Sequence, residues 1–219
     1  MLVDRSPHKQ NTVKTLVVDD QLALLDTTER ALLRIAPDMT ILVAQSLDDA
    51  IDIAANNGDI DLVVLDLGLP NCVGLSALKK FKETFKYLRV AVFSGDDVIA
   101  DALDLGAVAY IRKPIDIAPL TDALEKILGG GVYISGISVA QCEMQDAAKV
   151  LQLNPQEYRV AQLWVRGTPI AGIAKALHTS EIIIKKLVSK LLRHLNASRR
   201  SEAMIEISRC CLTFAYEAT

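Results

Sequence analysis

The chain has 219 residues, a hydrophobic content of 51% and a formal net charge of −3, which suits two domains with packed cores and excludes wholesale disorder. The small net charge conceals a division: residues 12–130 carry 11 Lys+Arg against 19 Asp+Glu, whereas residues 151–219 carry 10 against 5. An acidic half joined to a basic half points to a regulatory module coupled to one that meets nucleic acid or another acidic partner.

The opening Met1-Leu2-Val3-Asp4-Arg5-Ser6-Pro7 lacks the apolar core of a signal peptide, and no later run approaches a membrane span. A cytoplasmic protein with no membrane partner is expected. From there strands and helices alternate. Leu16-Val17-Val18 ends a first strand at Asp19-Asp20, and Leu22 to Ile35 has helical periodicity that stops before Pro37. Thr40–Ala44 is a second strand. Ser46, followed by Leu47-Asp48-Asp49, starts a helix that ends near Asn56-Asn57-Gly58. Asp61–Asp66 is the third strand and Gly74 to Phe85 the third helix. Arg89–Phe93, a short helix from Asp97 to Leu105, Val108–Arg112 and a helix from Asp116 to Leu128 complete the series. Short runs rich in Val and Ile, separated by helices, read as parallel strands buried on both faces, so the fold class is α/β with a (βα)₅ domain of three layers.

Gly129-Gly130-Gly131 ends regular structure, and residues 131–150 read as a linker between domains at 12–130 and 151–219. The second domain is all-α. Asn154-Pro155-Gln156-Glu157 combines a side-chain cap, a first-turn Pro and an acid at the third position, starting a helix that runs to about Arg166. Further helices are expected from Thr168-Pro169 to Leu177, from Thr179-Ser180-Glu181 to Leu195, and from Ser201 to Phe214. Four short helices, two of them joined by the tight His178-Thr179 turn, suggest a helix-turn-helix. Cys72, Cys142, Cys210 and Cys211 show no metal-ligand spacing and read as reduced structural thiols.

In an open parallel sheet the functional crevice lies beyond the carboxyl ends of the strands. Asp19, Asp20, Asp66, Ser94 and Lys113 all stand at such ends. Three carboxylates would repel one another unless a cation sits among them, and Mg²⁺ takes about six hard oxygen ligands. Asp19, Asp20 and Asp66 are therefore candidate Mg²⁺ ligands, which leaves one Asp66 oxygen to attack phosphorus. Ser94 and Lys113 supply a hydroxyl and an ammonium for the phosphoryl oxygens.

Asp19-Asp20, Asp66-x-x-x-Pro70-x-x-x-Gly74, Ser94 and Tyr110-x-x-Lys113-Pro114 together closely resemble the receiver domain of bacterial two-component response regulators, over about residues 12–130. The resemblance implies a flavodoxin-like fold with a five-stranded parallel sheet. It implies that Asp66 accepts phosphate from a sensor histidine kinase, and that Asp19, Asp20, Asp66 and the Gly68 carbonyl hold Mg²⁺. Ser94 and Tyr110 are then the switch pair, the ring rotating inward as the hydroxyl moves onto the phosphoryl group. Such a protein is a phosphoacceptor with only self-phosphorylation and dephosphorylation chemistry, not otherwise an enzyme. Ser94 and Lys113 lie 19 positions apart, about three fewer than is usual, so a turn is missing from the loop after Ser94 or from the fourth helix. A metal-dependent phosphatase would need a second acid two residues after Asp66, where Gly68 stands.

Leu153 through Glu157, Gly167, Ile173-Ala174-x-x-Leu177, Ser180-Glu181, Ile184-Lys185, Leu191-x-x-x-Leu195 and Glu202-Ala203 resemble the LuxR/NarL-type DNA-binding domain. On the expected recognition helix, Ile184, Leu187, Val188, Leu191 and Leu195 form one stripe at 100° per residue. Lys185, Lys186, Ser189, Lys190 and Arg193 gather opposite and are candidate contacts to double-stranded DNA, with Arg199 and Arg200 as phosphate contacts just beyond. Against the family pattern, Ile183 stands where a Thr is usual, Leu187 where a His is usual, and Gly172 where an acid or amide is common. The apolar Met204, Ile205, Leu212 and Phe214 suggest that the last helix pairs with a second copy, giving a homodimer when active. The expected function is a response regulator phosphorylated on Asp66 that regulates transcription by binding DNA. The alternative is a phospho-accepting adaptor whose helical domain binds protein.

Overall fold

The computed structural model of the chain describes residues 12–70, 72, 74–137 and 145–214. Five strands, β1 (Lys14–Val18), β2 (Thr40–Ala44), β3 (Leu62–Leu65), β4 (Val90–Ser94) and β5 (Ala109–Arg112), form one sheet in the order β2-β1-β3-β4-β5. Every pairing is parallel. Helices α1 (Leu22–Ile35), α2 (Leu47–Asn56), α3 (Leu75–Thr84), α4 (Ile99–Asp104) and α5 (Ile117–Leu128) make the crossovers. The side-chain alternation of the strands divides the core in two. Val17, Val64, Ala91, Phe93 and Ile111 face α1 and α5, packing on Leu25, Leu32, Leu124 and Ile127. Leu16, Val18, Val63, Leu65 and Val92 face the other way, against Leu78, Phe81 and Leu103.

Local signals act where the sequence places them. The Ser46 hydroxyl accepts from the Asp49 amide at 3.1 Å and caps α2. Asn154 and Glu157 complete a capping box at the start of α7 (Pro155–Val165), and Ser180 caps α9 (Glu181–His194). With α8 (Ile170–Ala176) and α10 (Arg200–Arg209) these make the four-helix domain. The turn from α8 to α9 passes through His178 at φ 49°. Between Ser94 and Lys113, α4 has only six residues.

One expectation is corrected. The last helix ends at Arg209, not Phe214: Cys211 turns left-handed at φ 50°, and Leu212–Thr213 becomes β7, paired in parallel with β6 (Gln145–Asp146). A four-residue helix α6 (Ala147–Val150) follows β6. Residues 132–135, read above as linker, run beside β5. Tyr110 donates its amide to the Tyr133 carbonyl (2.9 Å) and accepts from the Ser135 amide (2.8 Å), so this segment lies along the outer edge of β5.

The two domains share a core, since the α3/α4 side of the sheet runs on into Trp164, Ile173, Ile184, Met204 and Phe214. The junction is polar at its centre. Arg200 donates to the carbonyls of Leu103, Ala107 and Val165, and the Ser201 amide and hydroxyl reach the Asp104 carboxylate at 2.8 and 3.1 Å. Lys82 donates to the carbonyls of Leu88 (2.9 Å), Lys86 (3.3 Å) and Gly167 (3.5 Å). Two glycines permit this approach. A Cβ on Gly167, at φ +82°, would lie 2.3 Å from the Gly106 carbonyl oxygen, and one on Gly172 would lie 2.4 Å from the Tyr87 ring.

Candidate functional site

The sheet register builds the acidic pocket. Val18 pairs with Leu65, so the residues that follow them, Asp19 and Asp66, leave adjacent strands side by side. Ligand oxygens of Asp19, Asp20 and Asp66 lie within 4.8 Å of one another. Asp19 is 2% and Asp66 4% exposed, while Asp20 opens to solvent. Lys113 reaches in from the end of β5, its Nζ 2.6 Å from Asp19 Oδ2 and 3.1 Å from Asp66 Oδ2, and lies over the Phe93 ring. The Lys113-Pro114 bond is cis, and the Lys113 amide donates to the Ser94 carbonyl.

Burial pushes the Asp19 carboxyl above its ordinary value, opposed by the hydrogen bonds from Lys113 and the Gln21 amide and reinforced by the charge of Asp66. Three carboxylates around one ammonium leave excess negative charge facing an open side. That donor set fits a hard divalent cation. A Cβ on Gly68 would come within 3.2 Å of the Asp66 carboxylate, so glycine there leaves that carboxylate uncrowded. Gly74, at φ +67°, returns its amide to the Leu67 carbonyl at 2.8 Å, which closes the loop after Asp66.

Ser94 ends β4 with its hydroxyl accepting from the Asp96 amide at 3.2 Å. Tyr110 is fully buried, and its hydroxyl donates to the Asp96 carbonyl at 2.5 Å. The ring is thus already inward, and both members of the expected pair grip the same residue of the β4–α4 loop.

On α9 and just beyond it, Ile184, Val188, Leu191 and Leu195 are buried and Leu187 is half-buried, as the apolar stripe requires. Lys185, Lys186, Ser189 and Arg193 line one open groove with Ile182 and Leu192. The other three expected DNA contacts are held elsewhere. Lys190 pairs with the capping acid Glu157, and Arg199 pairs with Glu202 and, across the junction, with Asp104. Arg200 is turned into the junction, where burial pulls it down to about 10. Two carbonyls near helix ends, Leu103 and Val165, and the loop carbonyl of Ala107 hold that guanidinium in place of solvent. Met204, Leu212 and Phe214 are also consumed by the core of the chain itself, which leaves Ile205 half-open. Nothing in the local sequence marks Asp104 or Tyr87 as junction residues. The unusual Gly172 is the one visible sign of the second contact.

The protein is an α/β chain whose parallel sheet carries an acidic, lysine-capped pocket at its carboxyl edge. Residues 15–125 match the response regulator receiver domain family, and the chain belongs to it. It is 29% identical over 207 residues to the nitrate/nitrite response regulator protein NarL of Escherichia coli (strain K12), covering 90% of this chain and 95% of that one. It is 27% identical over 206 residues to the glycerol metabolism activator of Pseudomonas putida, covering 88% and 93%. Among solved structures it resembles a LuxR family DNA-binding response regulator from Silicibacter pomeroyi, with TM-score 0.50 and 28% identity over 57% of this chain and 98% of that one. The protein is a transcriptional response regulator of the NarL/LuxR type. No helix among the described residues is long and apolar enough to cross a membrane.

Proposed function

We propose that Asp66 is the phosphoacceptor, that a sensor histidine kinase in the bacterial cytoplasm supplies the phosphoryl group, and that phosphorylation governs binding of α9 to duplex DNA. The observation that carries this reading is the pocket itself, where Lys113 Nζ lies 3.1 Å from the Asp66 carboxylate amid two further acids. An Asp66 oxygen forms the new P–O bond while the P–N bond to the donor imidazole breaks, its electron pair leaving with the ring nitrogen. Lys113 and Ser94 hold phosphoryl oxygens, so the protein contributes position and charge rather than covalent steps of its own. Asp19, Asp20, Asp66 and the Gly68 carbonyl would hold Mg²⁺, which supplies neutralising charge to the pocket and the transferred group. Lys185, Lys186, Ser189 and Arg193 are the groove-facing contacts. The boundaries we favour are a receiver at 12–137 and a helix-turn-helix domain at 145–214, with Ile205 available to a second copy once α10 is free.

The test is intact mass after incubation with Mg²⁺ and a small acyl phosphate. One phosphate is expected on the wild-type chain and none on Asp66→Asn, and a phosphate that persists on that variant overturns the assignment. Titration of mixed-sequence duplex at low salt tests the output. Losing Lys185 or Lys186 should each flatten the salt slope by about one unit.

A further inference from the structure

Three isoleucines follow the cap of α9, and only Ile184 enters the core. Ile182 is 68% and Ile183 43% exposed. Successive β-branched residues disfavour a helix, so neither packing nor propensity accounts for the outer two. A lone exposed isoleucine is ordinary. Ile182 differs in its company. At 100° per residue it projects nearly in line with Ser189 and Arg193, between Lys185 and Lys186, and it lines the groove that these residues form.

We propose that Ile182, flanked by Ile183, reads thymine by covering its 5-methyl group in the major groove, an inference that rests on α9 being the DNA-binding helix. The first turn of a recognition helix is the part that meets base edges. An isoleucine neither donates nor accepts a hydrogen bond, so it cannot read N7, O6, N6 or O4. The one apolar group on any major-groove edge is the thymine methyl. The surrounding cations decide between occupants. An apolar protein surface laid on Ile182 would strip water from Lys185, Lys186 and Arg193 without compensation, whereas DNA brings phosphates to all three. RNA fits poorly, because its deep major groove excludes side chains and its uracil has no methyl.

The experiment uses the full chain, with acyl phosphate and Mg²⁺. Duplexes are selected from a random pool, and the best is remade with each thymine in turn replaced by deoxyuridine, which removes the methyl and leaves pairing intact. Affinity should fall about fourfold at one or two positions per half-site, the value of one buried methyl. Ile182→Ser, an exposed change that leaves the core stripe alone, should bind both forms of the duplex alike with an unchanged salt slope. Wild-type binding that is indifferent to deoxyuridine everywhere overturns the methyl contact and leaves the DNA-binding reading standing. So does an Ile182→Ser chain that keeps the full preference for thymine. Failure to bind any duplex at tens of micromolar overturns both.

Discussion

Asp19 illustrates how a single side chain is held against its own preference. It is buried beside a second buried acid, and its carboxyl sits above the ordinary 3.8 chiefly because of that burial. Above that ordinary value the folded chain keeps a proton that the unfolded chain has released. Stability of the metal-free protein therefore falls as pH rises through the window just above 3.8. Asp19→Asn should remove that dependence and raise the metal-free melting temperature by roughly a few degrees. It should also abolish the further rise caused by Mg²⁺, and calorimetry with and without the metal checks both. The strand-end acids, Ser94 and Lys113 were legible because a strand that stops at a polar residue announces its end locally. The fate of Arg200 was not legible, since its carbonyl partners Leu103 and Ala107 lie 97 and 93 positions away.

Among the elements, the carboxyl ends of α4 and α7 and the turns after α3, α4 and α7 bring carbonyls together at the domain junction, and these gather donors. Lys82 and Arg200 supply them, in company with Lys79, Glu83, Lys86 and Asp104. The cost shows on Lys82, which burial and the nearby Arg200 lower to about 8. Between about 8 and 10.5 the unfolded chain binds more protons than the folded one, so stability rises with pH there. Urea titrations from about pH 7.5 to 9 should show this slope in the wild type and lose it in Lys82→Met, a difference of order 1 kcal/mol. Gly172→Glu should part α8 from Tyr87, because the new Cβ alone would intrude on the ring. Faster proteolysis between the domains, with phosphate uptake by the chain unchanged, is the expected readout. The helices themselves were legible from caps and periodicity. Their meeting was not, because nothing in a helix says which other helix ends beside it.

Across the whole molecule, one core runs from the sheet into the helical domain, and α10 rests on the short α4. The loop that leads into α4 is held by Ser94 and Tyr110 through Asp96. A phosphoryl group that recruits the Ser94 hydroxyl would withdraw it from the Asp96 amide, at the root of the element on which α10 is seated. Ser94→Ala should accept phosphate yet show little phosphorylation-dependent change in DNA affinity or association state. Arg200→Ala removes the donor that Leu103, Ala107 and Val165 share at the junction. It should open the chain without phosphate, seen as a larger sedimentation radius, while the receiver still takes up phosphate.

The strip at 132–135 has a practical bearing on where the first domain stops. β5 is an outer strand, and Tyr110 spends both its amide and its carbonyl on that strip. A fragment cut at residue 130 would present a bare strand margin able to recruit another copy, whereas one cut at 137 would carry its own cover. Light scattering should find the shorter fragment self-associating with rising concentration and the longer one monodisperse.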